Sequence, residues 1–317
     1  MTKRLPEPAP QQDQSVGWAK SPDANAAGGV PTIWPRGGGH GARAPLPTLR
    51  LGLIALALLA AAPASAQGKL DARYEVTLAG IPVGRGAWVV DIADDQYSAS
   101  ASGATAGLLQ AFASGSGTGG SQGRIVGGAL QPSSYSATVN SSKKAETIRM
   151  SLASGNIKES AIEPEPPVDP ARIPVTEAHR RGVVDPMTGS LLRVPGAADP
   201  VSPEACRTGG AIFDGRMRYE LKLDYKRMEH VKAEKGYAGP VVVCAVYFTP
   251  VAGYIPDRAA IKYLAAQRNI EAWFAPIAGT RILVPFRMMI PTPLGMGVLE
   301  ATQFVSTATP PRVAKTQ

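Results

Sequence analysis

The sequence predicts an all-β fold built on an antiparallel sheet. Three observations carry that expectation. Apolar and polar residues alternate strictly in many short segments, the pattern of a strand with one buried face. Gly (34) and Pro (29) are abundant, which favours short strands joined by turns over long helices. The turn signals also fall between the alternating segments, so that successive strands run back on one another.

The elements follow in chain order. Residues 1–49 are rich in Pro, Gly, Ala and Gln without apolar periodicity. Such a stretch buries too little surface to offset its ordering entropy and is expected to be disordered. Residues 50–66 read as a Sec-type signal peptide. Arg50 is followed by an uncharged run from Leu51 to Ala62, which is shorter than the roughly 20 residues of a membrane-spanning helix. Pro63 breaks the run, and Ala64-Ser65-Ala66 is a small-x-small cleavage site, so Gln67 is the expected mature N-terminus. There is no Cys at that position for lipidation, and no membrane span is expected after cleavage. A signal peptide normally begins the chain. The stretch before it is therefore read as an extension from a start site placed too early, with Val30 a candidate for the true start. These features predict a periplasmic mature protein.

Residues 67–307 form the expected β-rich envelope domain, and 308–317 a disordered tail. In the first strand Leu70, Ala72, Tyr74, Val76 and Leu78 share one face. Ala79 to Gly84 make a turn, 86–92 return, and Asp94-Asp95 lead to a third strand from Tyr97. Ala106 to Phe112 is a short apolar helix candidate. Ala113 to Arg124 is almost all Ser and Gly. Strands are expected at 135–140, 146–152 and 156–162. Five prolines between Glu163 and Pro174 make a linker or long surface loop, since proline cannot donate to a ladder. Asp185 is a good N-cap and Pro186 suits the first position of a short helix through about Arg193. Residues 216–225 alternate again, whereas Val241 to Phe248 is nearly all apolar and is expected to be buried on both faces. A short helix at 258–267 and strands at 270–275, 281–290 and 298–305 complete about eleven or twelve strands.

Composition restricts function. The net charge is +8, but six of the 33 basic and three of the 25 acidic residues precede Gln67, which leaves +5 scattered over the rest. No Lys/Arg block forms a nucleic-acid track. Cys206 and Cys244 are the only cysteines. In an oxidising compartment such a pair reads as a disulfide, since there is no C-x-x-C for redox work and there are too few histidines for a metal site. Gly115 to Gly120 matches G-x-G-x-x-G, but no amphipathic helix follows, so a small-residue strand or loop is expected and no nucleotide cofactor. His179 and His230 are the only histidines past residue 66, and no G-x-S-x-G stands in a strand-to-helix context. No catalytic residue, metal ligand or cofactor is assigned.

Asp214-Gly215 is a tight-turn signal leading into a strand. Arg216 and Arg218 would then share a sheet face, able either to grip an anion or to form ion pairs with Glu220 or Asp224. Arg287, between Phe286 and Met288, is a third ligand-binding candidate. Phe213-Asp214-Gly215-Arg216-x-Arg218-Tyr219 and the run from Cys244 to Tyr254 resemble the bacterial envelope family of unknown function DUF3108. Val284-Pro285-Phe286-Arg287 and Tyr74-Glu75-Val76 with Gly80 and Gly84 are similar to it too. The resemblance covers roughly Leu70 to Val305. It implies a signal peptide and a β-rich open or half-closed barrel, and brings no catalytic residues. The combined expectation is a strongly curved antiparallel sheet or half-open barrel with one or two short helices. Its apolar concavity would serve a non-enzymatic binding or carrier role for a hydrophobic or amphipathic ligand such as a lipid. The alternatives are a structural or protein-interaction module of the envelope and a hydrolase.

Overall fold

The computed structural model describes residues 67–107, 114–142 and 145–309. The signal-peptide segment, the stretch before it, most of the 106–112 helix candidate and residues 310–317 lie outside the described residues. The first half is a meander of seven strands. They are β1 (Gln67–Leu78), β2 (Ile81–Ile92), β3 (Gln96–Thr105), β4 (Gly115–Val126), β5 (Ala129–Ser141), β6 (Ala145–Ala153) and β7 (Asn156–Glu163). A long loop carries the chain to the four-residue helix α1 (Pro186–Gly189) and the two-residue β8 (Leu192–Arg193). Then come β9 (Gly209–Phe213), β10 (Arg218–Lys232), β11 (Lys235–Gly236) and β12 (Ala238–Ala252). The helix α2 (Ala259–Ala266) precedes β13 (Glu271–Pro276), β14 (Ile282–Thr292) and β15 (Gly295–Thr309).

All the long strands join one antiparallel sheet in the order β7-β6-β5-β4-β3-β2-β1-β15-β14-β13-β12-β10-β9, with β8 on β14 and β11 on β15. The first and last strands therefore meet in the middle, where Leu70 faces Ser306 and Tyr74 faces Ala301. The ladder itself stays open, because β7 and β9 do not pair. Nine strands separate β6 from β10, so in a flat sheet they would stand on the order of 50 Å apart. Yet Arg216, in the turn between β9 and β10, pairs with Glu146 of β6. The position a Cβ would take on Gly215 also falls against Ile148. The sheet must bend back on itself to allow this. Residues 181–184 lie in the seam: Arg181 bridges Asn156 at the β7 edge, and Val184 bridges Ile212 at the β9 edge. The result is a half-open barrel.

The core explains the sequence pattern. Val241 and Val243 of β12 pack with Trp273, Ala275, Val284 and Phe286 in one cluster, together with Leu70, Val90 and Tyr97 of the first strands. Val242, Cys244 and Val246 point the other way into a second cluster with Ala272, Phe274 and Leu283. Strands β12 to β14 are thus buried on both faces. A third cluster, with Met150, Leu152, Ile157, Val183 and Phe213, closes the seam. Cys206, in a 3-10 turn at Pro203–Arg207, forms a disulfide with Cys244 and ties that turn to β12.

The Ser/Gly-rich stretch is strand β4. Gly123 shows why it must be small there: a Cβ would collide with the Gln131 carbonyl oxygen of β5. The expected helix after Asp185 ends sooner than Arg193, because Leu192 and Arg193 pair with Leu283 and Ile282 of β14 instead. The proline-rich loop is held at its far end, where Ile173 donates to the Tyr254 carbonyl and accepts from the Gly253 amide, each at 2.8 Å.

Candidate ligand cavity

The bent sheet encloses a half-open cavity of about 760 Å³. One wall is apolar and comes from alternating positions: Leu221 and Leu223 of β10, Val246 of β12, Ala272 and Phe274 of β13, and Met288 of β14. Cross-strand register places Leu223 opposite Val246, so these side chains share a face. The rim is largely glycine, with Gly127 and Gly128 in the β4–β5 turn, Gly155, Gly182, Gly209 and Gly210. Glycine holds side chains back from the mouth. Gly127, Gly128, Gly155 and Gly182 also have positive φ, a region that L side chains rarely adopt.

The far side is built by α1 and the segment after it. Asp185, fully buried, caps α1: its Oδ1 accepts from the Met187 and Thr188 amides at 2.9 and 3.0 Å. Its Oδ2 accepts from the Thr188 hydroxyl at 2.6 Å and from the Ser121 hydroxyl of β4 at 2.9 Å. Tyr97 of β3 reaches the Thr188 hydroxyl at 2.7 Å. A helix too short to hold itself is thereby fastened to the sheet interior. Burial pushes the Asp185 carboxyl above its ordinary pKa, opposed by these four hydrogen bonds.

The hydroxyls that line the cavity are already used. Thr188 belongs to this network, Ser190 donates to the Pro186 carbonyl at 2.9 Å, and Thr208 donates to the Ala205 carbonyl at 2.8 Å. Arg193 differs. Its Nη1 donates to the Val194 carbonyl at 3.0 Å, and among the described residues no carboxylate pairs with it. Arg281 donates from Nε to the same carbonyl at 2.9 Å, and to the carbonyls of Ala198 and Pro195. Two guanidinium groups therefore share one oxygen. Burial, and then the neighbouring positive charge of Arg281, push the Arg193 pKa down.

The residues singled out in the sequence are placed elsewhere. Asp214 and Gly215 do form a tight turn, with Gly215 at φ +96° and Asp214 accepting from the amides of Arg216 and Met217 at 2.8 and 2.7 Å. Arg216 lies in that turn, pairs with Glu146, and precedes the strand it was expected to open. Arg218 begins β10, reaching Glu220 at 3.2 Å and the Arg181 carbonyl at 3.3 Å. Arg287 of β14 belongs to another group. Its guanidinium lies 5.3 Å from the ring centroid of Trp273, whose indole N–H donates to Glu229, and its Nε is 3.7 Å from Glu300. None of the three lines the cavity. His179 accepts from the Thr176 amide at 3.1 Å within a 3-10 turn, while His230 is exposed on β10. The two histidines are not gathered with the buried Asp185, Ser121 and Thr188.

The family model described as "Protein of unknown function (DUF3108)" matches residues 73–302. The chain belongs to the DUF3108 family. The DUF3108 span runs from β1 into β15 and contains every residue that lines the cavity. No curated protein matches the chain. A crystal structure titled as a beta-barrel-like protein of domain of unknown function DUF1849, from Brucella abortus, aligns with 78% of this chain and 100% of its own. Its identity is 9% and its TM-score 0.40.

The buried and half-buried tyrosines of this DUF3108 domain make its alkaline behaviour predictable. Burial pushes Tyr135 and Tyr237 up to about 12, and Tyr74, Tyr97 and Tyr219 higher. An unfolded tyrosine ionises near ~10. The stability these groups contribute is whole below that value and is lost as pH rises through the folded values, because only the unfolded chain then releases the protons. In an alkaline titration, a late, cooperative rise in phenolate absorbance should coincide with loss of β-sheet circular dichroism. All nine tyrosines titrating together, with the fold intact, would contradict the burial.

Proposed function

We propose that this protein is a non-enzymatic periplasmic binding or carrier protein for a hydrophobic or amphipathic ligand such as a lipid. The observation that carries the reading is the half-open cavity with an apolar wall. Its volume lies within the range of small-molecule sites, roughly 300–1,000 Å³. Burial of an alkyl chain against Leu221, Leu223, Val246 and Phe274 supplies a driving force of about 25 cal/mol per Å² of apolar surface removed from water. The signal-peptide pattern at 50–66 and the Cys206–Cys244 disulfide support an oxidising, extracytoplasmic setting.

Native mass spectrometry of protein purified from its own periplasm tests the proposal. A bound species that dissociates as a lipid-sized mass is expected. Protein that emerges ligand-free, and stays so after incubation with a lipid extract of the envelope, counts against it. One observation favours the second reading, an interaction module of the envelope. Ile81 and Leu294 are 53% and 76% exposed, at neighbouring turns joined by a 2.9 Å bond from the Ala79 amide to the Met296 carbonyl. That reading expects a co-purifying envelope protein that is lost when both side chains become Ser.

A further inference from the structure

We infer that the ligand is a single-chain amphiphile with an anionic head, and that Arg193 at the cavity mouth holds the head. The inference rests on the binding reading above and adds the chemistry of the ligand to it. An apolar wall by itself accepts any greasy molecule. Here Arg193 is the one charged side chain among the lining residues, and the lining hydroxyls are already engaged. It sits beside the glycine turn at 127–128, where a Cβ on Gly128 would lie 3.3 Å from its Nη2. The guanidinium thus lies against the bare backbone of that turn.

Two features make that guanidinium a binder and not a structural ion-pair partner. The first is its lack of a counter-charge. Arg216, Arg218, Arg227 and Arg287 each have a carboxylate within ion-pair distance, while Arg193 and Arg281 have none among the described residues. The second is crowding. Arg193 and Arg281 converge on the Val194 carbonyl, so two like charges are held side by side, which is unfavourable until an anion lies between or beside them. Arg281 spends its donors on the carbonyls of Val194, Pro195 and Ala198 and is thereby fixed. Among the described residues Arg193 keeps Nε and Nη2 free of partners, and a guanidinium fork fits two oxygens of a carboxylate or phosphate. Arg281 is then a positioning residue that holds positive potential at the mouth, and Arg193 is the contact.

The shared chemistry is an alkyl chain ending in an oxyanion, carboxylate or phosphate. Isothermal titration calorimetry of the full chain with laurate and dodecyl phosphate below their critical micelle concentrations, with dodecanol below its solubility limit, and with inorganic phosphate, tests it. Laurate or dodecyl phosphate should bind at least about tenfold more tightly than dodecanol, the scale of one charge-assisted hydrogen bond. The tighter of the two identifies the head, and inorganic phosphate alone should not bind measurably. In Arg193→Gln the anionic probe should weaken by about tenfold to the dodecanol level, with dodecanol affinity unchanged. Retained dodecanol binding reports an intact cavity, and Arg193→Lys should recover part of the loss. Equal affinity for anion and alcohol, or an anion affinity unmoved by Arg193→Gln, overturns the inference and leaves the binding reading standing. Tight inorganic phosphate with no gain from the alkyl chain also overturns it. No binding of any probe removes the binding reading itself.

Discussion

Replacing both Cys206 and Cys244 by Ala should lower the unfolding free energy by about 4 kcal/mol in the chain-entropy model. The bridge spans 38 residues, which include β9, β10 and most of the β12 approach. Cutting it returns loop-closure freedom to the unfolded chain, and that freedom grows with loop length. Both sulfurs are fully buried in the second core cluster, so the two alanines also leave unfilled volume against Leu223, Val242 and Ala272. Urea unfolding followed by tryptophan fluorescence reads the loss as a lower midpoint. It should also give a steeper slope, because the uncrosslinked unfolded state exposes more surface. A midpoint equal to that of the oxidised parent would mean that the bridge does not constrain the unfolded ensemble. The disulfide has a local consequence too. The segment it pins runs directly into Thr208, Gly209 and Gly210 at the cavity rim. Reduction should therefore loosen the mouth before the sheet fails, visible as early hydrogen exchange at 208–212.

The cysteine pair was legible because only one pairing was available. The strands were legible for a different reason: one buried face imposes period two, and Leu70, Ala72 and Tyr74 declare that face without any knowledge of their partners. The doubly buried run from Val241 to Phe248 also declared itself, since a strand between two apolar clusters has no polar side to show. Strand β4 was ambiguous between strand and loop. Gly and Ser carry no apolar–polar contrast, and what fixes them lies outside the stretch: the β5 backbone against Gly123, and Asp185 and Thr188, more than sixty residues later, at the Ser121 hydroxyl.

The candidate site was the least legible part. Arginines 216 and 218 drew attention because they stand close in sequence, and Glu220 was a visible partner for Arg218. Glu146, the partner of Arg216, is 70 residues away and reaches it only because the sheet bends. Arg193 carried no signal, for it lies in Leu191-Leu192-Arg193-Val194, an unremarkable apolar stretch. Its position follows from two backbone events: α1 stops at Gly189, and Leu192 and Arg193 then pair with β14. A cavity wall drawn from β5, β8, β9, β10, β12, β13 and β14 is a property of closure, and local pattern holds no record of closure.

Replacing Asp185 by Ala should cost about 3 kcal/mol: roughly 1 for a lost N-cap, and the rest for burying hydroxyl and amide groups without their acceptor. Ser121 would lose its carboxylate partner, and Thr188 would keep only Tyr97 and Ser121. Asp185→Asn separates charge from shape. Its Oδ1 still accepts from the Met187 and Thr188 amides, and the two hydroxyls turn to accept from its amide nitrogen, so a loss of about 1 kcal/mol is expected. The two variants also differ from the parent in pH dependence. Burial raises the Asp185 carboxyl above its unfolded value, so within that interval the folded protein holds a proton that the unfolded chain has released. The contribution of this group is complete below the unfolded pKa and falls away as pH rises through the folded one. Asp185→Asn removes that slope, and urea midpoints measured from mildly acidic to neutral pH should decline less steeply than in the parent. A parent and variant with parallel pH profiles would place the ionised carboxylate comfortably within its four donors. Asp185→Ala should, in addition, release α1 from β3 and β4 and widen the cavity, so that binding of any alkyl probe weakens while Arg193→Gln discriminates only the charged ones.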